Sequence, residues 1–358
     1  MKSVIEAIHP TALRFFVAVT GGGSRFIADF LEIPGASKNL LGAYIPYSKV
    51  LFDRFAGAPD HYSSMEAARK LAVASWLKSK AAATDGRTVG LGGAFSLAAG
   101  AEERPGRRHR FHLCVHSLES TLCRAIEVSQ GATRQEEEAL AGRLLLSILA
   151  ARAGISLDTD IPYVLSDQKS RAEGGRWQSL MEEAPAGILF NHRPAGKEVV
   201  IYPGSFNPRH YAHEKIAAIA QEITGIEVLY EIAVRNVDKP PLDYLSLEER
   251  LEANRDVPLL VSNTPRFIDK LKLAKTLFPA ARATFVVGAD TWNRIFDPKY
   301  YTAPETALEE LRTARFLVFP RPGYRIEHLD EPSLILHPRA QELAITISSS
   351  ALRRRESR

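Results

Sequence analysis

The chain has 358 residues, 45% of them hydrophobic and 25% charged, a balance that excludes a disordered or fibrous protein and leaves length for two buried cores. The net charge of +4 suits phosphorylated ligands, but no run of Lys and Arg interleaved with aromatics marks a nucleic-acid groove, so no nucleic-acid partner is expected. The two cysteines, Cys114 and Cys123, form no Cys-x-x-Cys pair, which argues against a structural zinc site and for buried thiols in a reducing compartment.

Near the N-terminus, the apolar stretch Ala12 to Val19 is interrupted by Arg14 and lacks a small-residue cleavage site, so no secretory signal is expected. No segment reaches the roughly 20 apolar residues that span a bilayer, and the expectation is a cytoplasmic protein with no membrane partner. From about Ile8 to Ala151, apolar strands alternate with amphipathic helices, which predicts a first α/β domain over residues 1–153. Phe15 to Val19 reads as a strand running into Thr20-Gly21-Gly22-Gly23 and then a helix from Ser24 to Leu31. Gly42 to Ser48, a long helix from about Ser64 to Lys80, and Val89 to Ala94 follow.

This order of segments resembles the CinA C-terminal domain family, which includes nicotinamide mononucleotide amidohydrolases. In that resemblance the family's E-S-C-T-G-G segment falls on Val17-Ala18-Val19-Thr20-Gly21-Gly22, replacing a hydroxyl and a carboxylate with apolar groups, and the family's lysine falls on Phe52. Without that hydroxyl or ammonium, the expectation is a catalytically degenerate domain kept for packing, homo-oligomerisation or ligand sensing. The alternative is a live amidohydrolase using Ser24, Ser48 and Lys49 in displaced positions. Residues 154–197 are rich in polar and turn residues and read as a linker. A short helix around Trp177 to Glu183 would dock it on one domain through Trp177, Leu180 and Met181.

The apolar run Val199-Val200-Ile201-Tyr202, closed by Pro203-Gly204, predicts a buried parallel strand, and Glu214 to Thr224 predicts the helix after it. Between them lies Gly204-Ser205-Phe206-Asn207-Pro208-Arg209-His210-Tyr211-Ala212-His213. In a doubly wound sheet such a turn sits at the carboxyl ends of the strands, where unpaired helical N–H groups hold phosphate. Two histidines three residues apart share a helix face and can reach one anion. The spacing resembles the nucleotidyltransferases that share the nicotinate and nicotinamide mononucleotide adenylyltransferase fold, with G-[ST]-F-[DN]-P before H-x-G-H. Ala212 stands where that family has glycine, which bears on rate or nucleotide fit more than on fold.

Further along, Ile226 to Val234 reads as the next strand, followed by a loop carrying Lys239. The resemblance assigns that lysine to the mononucleotide phosphate and puts the family's helix arginine at Arg250. Phe285-Val286-Val287-Gly288-Ala289-Asp290 is another strand end, whose Asp290 can accept ribose hydroxyls and whose Trp292 offers a flat face for a base or pyridine, or else packs beneath the next helix. Arg315 to Tyr324 resembles the strand and R-P-G-Y turn of bacterial nicotinate mononucleotide adenylyltransferases. Ile347-Ser348-Ser349-Ser350-Ala351-Leu352-Arg353 resembles the family's I-S-S-T-x-[IV]-R, so Ser348, Ser349 and Ser350 would cap a helix facing ATP and Arg353 would hold phosphate oxygens. The same arginine, and His210 in place of a threonine, argue against phosphopantetheine adenylyltransferase.

The sequence therefore predicts two α/β domains, the second, over residues 198–358, a Rossmann-like doubly wound parallel sheet of the nucleotidyltransferase type. The resemblance implies transfer of AMP from ATP to nicotinate or nicotinamide mononucleotide. His210, His213 and Arg353 would be catalytic, Gly204, Ser205, Phe206 and Asn207 would join the serines in binding ATP, and Lys239, Asp290 and Trp292 would bind the mononucleotide. Mg²⁺ would enter with ATP and no protein metal site is expected. Transfer to a different phosphorylated acceptor and non-catalytic nucleotide sensing are the competing expectations.

Overall fold

The computed structural model describes all residues except 84–86, 101–105, 130, 158–163, 192–195, 237–239 and 344–358. The chain divides into two compact units, one of residues 1–178 with 238–246 and one of 179–237 with 247–358.

In the first unit α1 (Lys2–Ile8) precedes β1 (Leu13–Thr20), α2 (Ser24–Leu31), β2 (Leu40–Tyr44), α3 (Lys49–Ala56) and α4 (Met65–Ala82). β3 (Arg87–Ser96), β4 (His109–Ser117), β5 (Ser120–Val128), α5 (Arg134–Arg152) and β6 (Val164–Glu173) complete it. The sheet order is β2-β1-β3-β4-β5-β6, parallel over β2, β1 and β3 and antiparallel from β3 to β6. One face is covered by an apolar layer that includes Phe15, Phe26, Phe30, Leu144 and Leu149, the other by one that includes Phe52, Leu71, Ala72 and Cys114. The alanine-rich α4, capped by the Ser64 hydroxyl accepting from the Ala67 amide, lies so close to β3 that a Cβ on Gly90 would stand 2.0 Å from the Ala72 carbonyl oxygen.

The second unit opens with β7 (Gly187–Phe190), β8 (Glu198–Pro203), α6 (Tyr211–Thr224) and β9 (Val228–Ala233). α7 (Tyr244–Glu252) follows, its first turn counted with the first unit, and then β10 (Leu259–Ser262), α8 (Phe267–Leu277), β11 (Arg282–Gly288) and α9 (Ala289–Ile295). α10 (Pro304–Leu311), β12 (Arg315–Phe319), β13 (Leu334–Ile335) and α11 (Pro338–Gln341) end the described chain. The order β13-β12-β11-β8-β9-β10-β7 is parallel throughout except for the antiparallel β7. The chain runs outward from β8 to β10 on one side and from β11 to β13 on the other, the doubly wound arrangement predicted.

The expected linker differs from what the structure shows. Residues 154–197 contain β6, which pairs along β5, a 3₁₀ segment at Gly175–Met181, and β7, which pairs with β10. The division between units falls at 178/179. β6 is a mostly exposed, highly polar edge strand, and its charges and serines are what made it read as linker. Among the described residues no helix is long and apolar enough to cross a membrane.

Candidate active site

β8 borders both β9 and β11, so the chain changes direction across the sheet between β8 and β11, and the carboxyl ends of these two strands are where a doubly wound sheet forms its ligand crevice. The turn after β8 carries Gly204 to His210, and the turn after β11 carries Gly288, Ala289 and Asp290.

The first turn is built on a buried ring. Phe206 has φ 41°, in the left-handed region uncommon for a non-glycine residue, and it is 0% exposed. Its ring meets those of Tyr202 at 5.3 Å, Tyr230 at 5.0 Å and His213 at 5.0 Å between centroids, all edge to face. A Cβ on Gly204 would stand 2.5 Å from that ring, so glycine is required where strand gives way to turn. The Gly204 amide donates to the Glu231 carbonyl at 2.9 Å, tying the turn to β9. Asn207 precedes a cis bond to Pro208, and Ser205 presents its carbonyl to the Arg250 guanidinium at 3.4 Å.

His210 caps α6 and His213 stands one turn in, their rings 3.8 Å apart and inclined by 33°. The His210 amide donates to His213 Nδ1 at 3.3 Å, so in the neutral ring the proton rests on Nε2, which becomes a donor. Burial, then the neighbouring His210, then the Arg321 and Arg209 guanidiniums push the His213 pKa down to about 3. Burial and Arg321 lower that of His210 as well, against an opposing pull from Glu214. Both imidazoles are therefore neutral at pH 7. The ring nitrogens of His210 are buried and have no hydrogen-bond partner among the described residues.

Cations surround the pair. Arg209 is fixed by Asp256 at 2.6 Å and Glu214 at 3.4 Å, with its guanidinium 5.9 Å from the Tyr230 ring centroid. Arg321 follows β12, and its charge acts on both histidines and on Tyr202. Asp290, half-buried on the first turn of α9, stands just past the carboxyl end of β11, the strand beside β8. The structure thus gathers Gly204, Ser205, Phe206, Asn207, His210, His213 and Asp290. Lys239, Ser348, Ser349, Ser350 and Arg353 lie outside the described residues.

Trp292 requires a correction. It is 0% exposed within the second unit's core, edge to face with Phe296 at 4.8 Å, and its indole N–H donates to the Glu327 carbonyl at 2.7 Å. No face of it is open to a base. Ala289, Trp292 and Ile295 are the buried residues of α9, an apolar stripe at helical spacing that was readable in the sequence. Beside α9, Phe267, Tyr300 and Tyr301 with Arg266, Thr291 and Arg294 line a cleft of ≈ 150 Å³. The sequence used Arg321 only as part of a turn pattern. Its place immediately after a parallel strand was the signal that it belonged to the site.

In the first unit, Ser24 donates to Glu138 at 2.6 Å, and the Gly23 and Arg25 amides donate to the same carboxylate at 2.8 and 3.2 Å. The start of α2 is thus already occupied by the chain's own anion. Burial acts to raise the Glu138 pKa, but these donors outweigh it and hold the pKa below the usual range. Ser48 caps α3 by accepting from the Leu51 amide, and the Lys49 ammonium lies over the Tyr62 ring at 5.3 Å. Phe52, at the family's lysine position, is buried in the core. Among the described residues no group of three or more His, Cys, Asp or Glu side chains could hold a metal ion.

Residues 201–355 match the cytidylyltransferase-like family. A probable nicotinate-nucleotide adenylyltransferase from Thermus thermophilus is 30% identical over 172 residues, covering 43% of this chain and 84% of that protein. A solved nicotinic acid mononucleotide adenylyltransferase from Plasmodium falciparum, complexed with APC, is 21% identical with a TM-score of 0.33, over 44% of this chain and 83% of that one. The competence/damage inducible protein CihA from Agrobacterium tumefaciens is 18% identical with a TM-score of 0.34, over 42% of this chain and 90% of that one.

Proposed function

Because the chain belongs, through its C-terminal part, to the cytidylyltransferase-like nucleotidyltransferases and is an enzyme of that class, we propose that it transfers AMP from ATP to a pyridine mononucleotide. The acceptor is nicotinate or nicotinamide mononucleotide, and the products are the dinucleotide and pyrophosphate. The observation that carries this reading is the close His210–His213 pair, rings 3.8 Å apart, at the start of α6 beyond the carboxyl end of β8.

In the reaction a phosphate oxygen of the mononucleotide attacks the α-phosphorus of ATP. The new O–P bond forms as the bond from the α-phosphorus to the bridging oxygen breaks, and the electron pair leaves with pyrophosphate. No protein nucleophile is needed, so the protein supplies alignment and positive charge around a transition state with charge spread over phosphate oxygens. Nε2–H of His213 donates to a phosphate oxygen without having to lose or gain a proton, and the Arg209 and Arg321 charges favour the anion. Asp290 accepts from ribose hydroxyls. Mg²⁺ arrives as part of the ATP substrate, on phosphate oxygens.

Lys239, the serines at 348–350 and Arg353 are proposed to complete the phosphate contacts. The aromatic-lined cleft next to α9 supports a flat ring as the acceptor's base. Incubation with labelled ATP and a panel of phosphorylated acceptors tests the reading. A labelled product with the mass of a pyridine dinucleotide is expected, and a labelled product from a different acceptor alone would contradict it.

A further inference from the structure

From the contacts of the α7–β10 connection, we infer that Asn254 is a positioning residue that holds the His210–His213 turn in its working shape, an inference that rests on the proposed transfer for its kinetic consequence. Asn254 is 0% exposed and lies just beyond the end of α7. Its side-chain amide donates to the Phe206 carbonyl at 3.3 Å and to the Arg250 carbonyl at 2.7 Å. Both donors are therefore committed to backbone oxygens, and the reversed amide would set its own oxygen against them. The Asn254 side-chain oxygen Oδ1 is buried and has no hydrogen-bond partner among the described residues.

The residue held in this way is the one whose backbone is least comfortable. A phenylalanine at φ 41° lies in the left-handed region that bulky L side chains rarely adopt, and it persists only where its surroundings over-determine it. The ring burial of Phe206 fixes one side of the residue and the Asn254 bond fixes the other. Neighbouring residues of the same stretch reinforce the clamp: Arg250 donates to the Ser205 carbonyl at 3.4 Å, and Asp256 accepts from Arg209 at 2.6 Å. Carbonyls on one side of the turn are thereby drawn toward residues 250–256. This leaves the start of α6, where the His210 amide meets His213, directed at the crevice. The Phe206 ring also contacts His213 itself at 5.0 Å, so a shift of Phe206 moves the imidazole's packing.

The test uses the full chain and has one readout that does not depend on catalysis. The His213 ring resonance is identified by its loss in His213→Ala, and its titration is compared between the native protein and Asn254→Ala. In Asn254→Ala the pKa is expected to rise by at least about one unit as the turn opens to water. The kcat for pyrophosphate release is expected to fall at least about tenfold while KM for the mononucleotide stays within about twofold. In the His213→Ala background, Asn254→Ala should cost much less than it does alone, since both act through one turn.

An unmoved His213 titration in the folded variant overturns the proposal, and so does an unchanged kcat against an active native enzyme. If Asn254→Ala fails to fold by circular dichroism, Asn254→Leu keeps nearly the same volume, removes both donors and adds no charge, and the same shift is expected. A resonance that moves while the native chain releases no pyrophosphate leaves the positioning role standing and refutes the transfer reading.

Discussion

At the site, single atoms decide what the turn can do. Gly204 stands where any Cβ would enter the Phe206 ring, so Gly204→Ala must either push that ring off Tyr202 and Tyr230 or shift the end of β8. We predict a loss of about 1–3 kcal/mol of stability, measured by urea denaturation, together with a loss of nucleotide transfer. A variant with native stability and turnover would show that the ring does not fill this space. The G-S-F-N-P turn and both histidines were legible in the sequence because one contiguous stretch encodes a strand end, a turn and a helix start. Arg321 and Asn254 were not. They reach the turn from beyond β12 and from the end of α7: the position of Arg321 after a parallel strand marks a site-facing loop without saying which residue it meets, and nothing in the stretch around Asn254 marks that residue.

Among elements, the second sheet carries a buried charge pair. Lys270 of α8 meets Glu231 of β9 at 2.6 Å, and both are nearly inaccessible. The same carboxylate oxygen also accepts from the Ser262 hydroxyl, while Lys270 donates further to the Thr264 carbonyl at 2.7 Å. Removing one member leaves the other charge in the core, so Lys270→Met should cost about 3–5 kcal/mol in denaturant unfolding. Lys270→Met with Glu231→Gln should recover much of that loss, and a single variant as stable as the native chain would contradict the pairing. Apolar runs predicted the parallel strands β8, β9 and β11, and the family resemblance supplied β12; the runs of all four are buried. β6 escaped because an edge strand can be polar along nearly its whole length. Trp292 was assigned to the crevice because it follows Asp290, although the stripe Ala289, Trp292, Ile295 places it inward.

Over the whole molecule, each unit carries its own core and its own response to pH. In the first unit His116 is 0% exposed, its ring 5.1 Å from Trp76 and edge to face with it. The Tyr244 amide donates to the Thr121 hydroxyl oxygen at 3.1 Å, which leaves that hydroxyl to donate to His116 Nδ1 at 2.8 Å, holding a neutral ring. Burial lowers the His116 pKa from 6.5 to about 4, against an opposing pull from Asp243. Above pH 6.5 folded and unfolded chains are both neutral at this position, and it adds no pH dependence. As pH falls from 6.5 to about 4 the unfolded chain takes up a proton that the folded chain refuses, so stability is lost, on the order of 3 kcal/mol. Denaturant titrations across that window should show the native chain losing about 3 kcal/mol more than His116→Phe, in which the other depressed histidines still act, and parallel curves would contradict the assignment.

The account as a whole turns on the paired imidazoles moving AMP between phosphates. The most direct test measures pyrophosphate release from Mg-ATP with nicotinate mononucleotide and with nicotinamide mononucleotide, for the native chain and for His213→Ala. The native chain should release pyrophosphate with at least one mononucleotide and yield the matching dinucleotide. Folded His213→Ala should be slower by about 10²–10³-fold or more. Binding of ATP by the native chain without pyrophosphate release for either acceptor, or undiminished turnover in the variant, would contradict it.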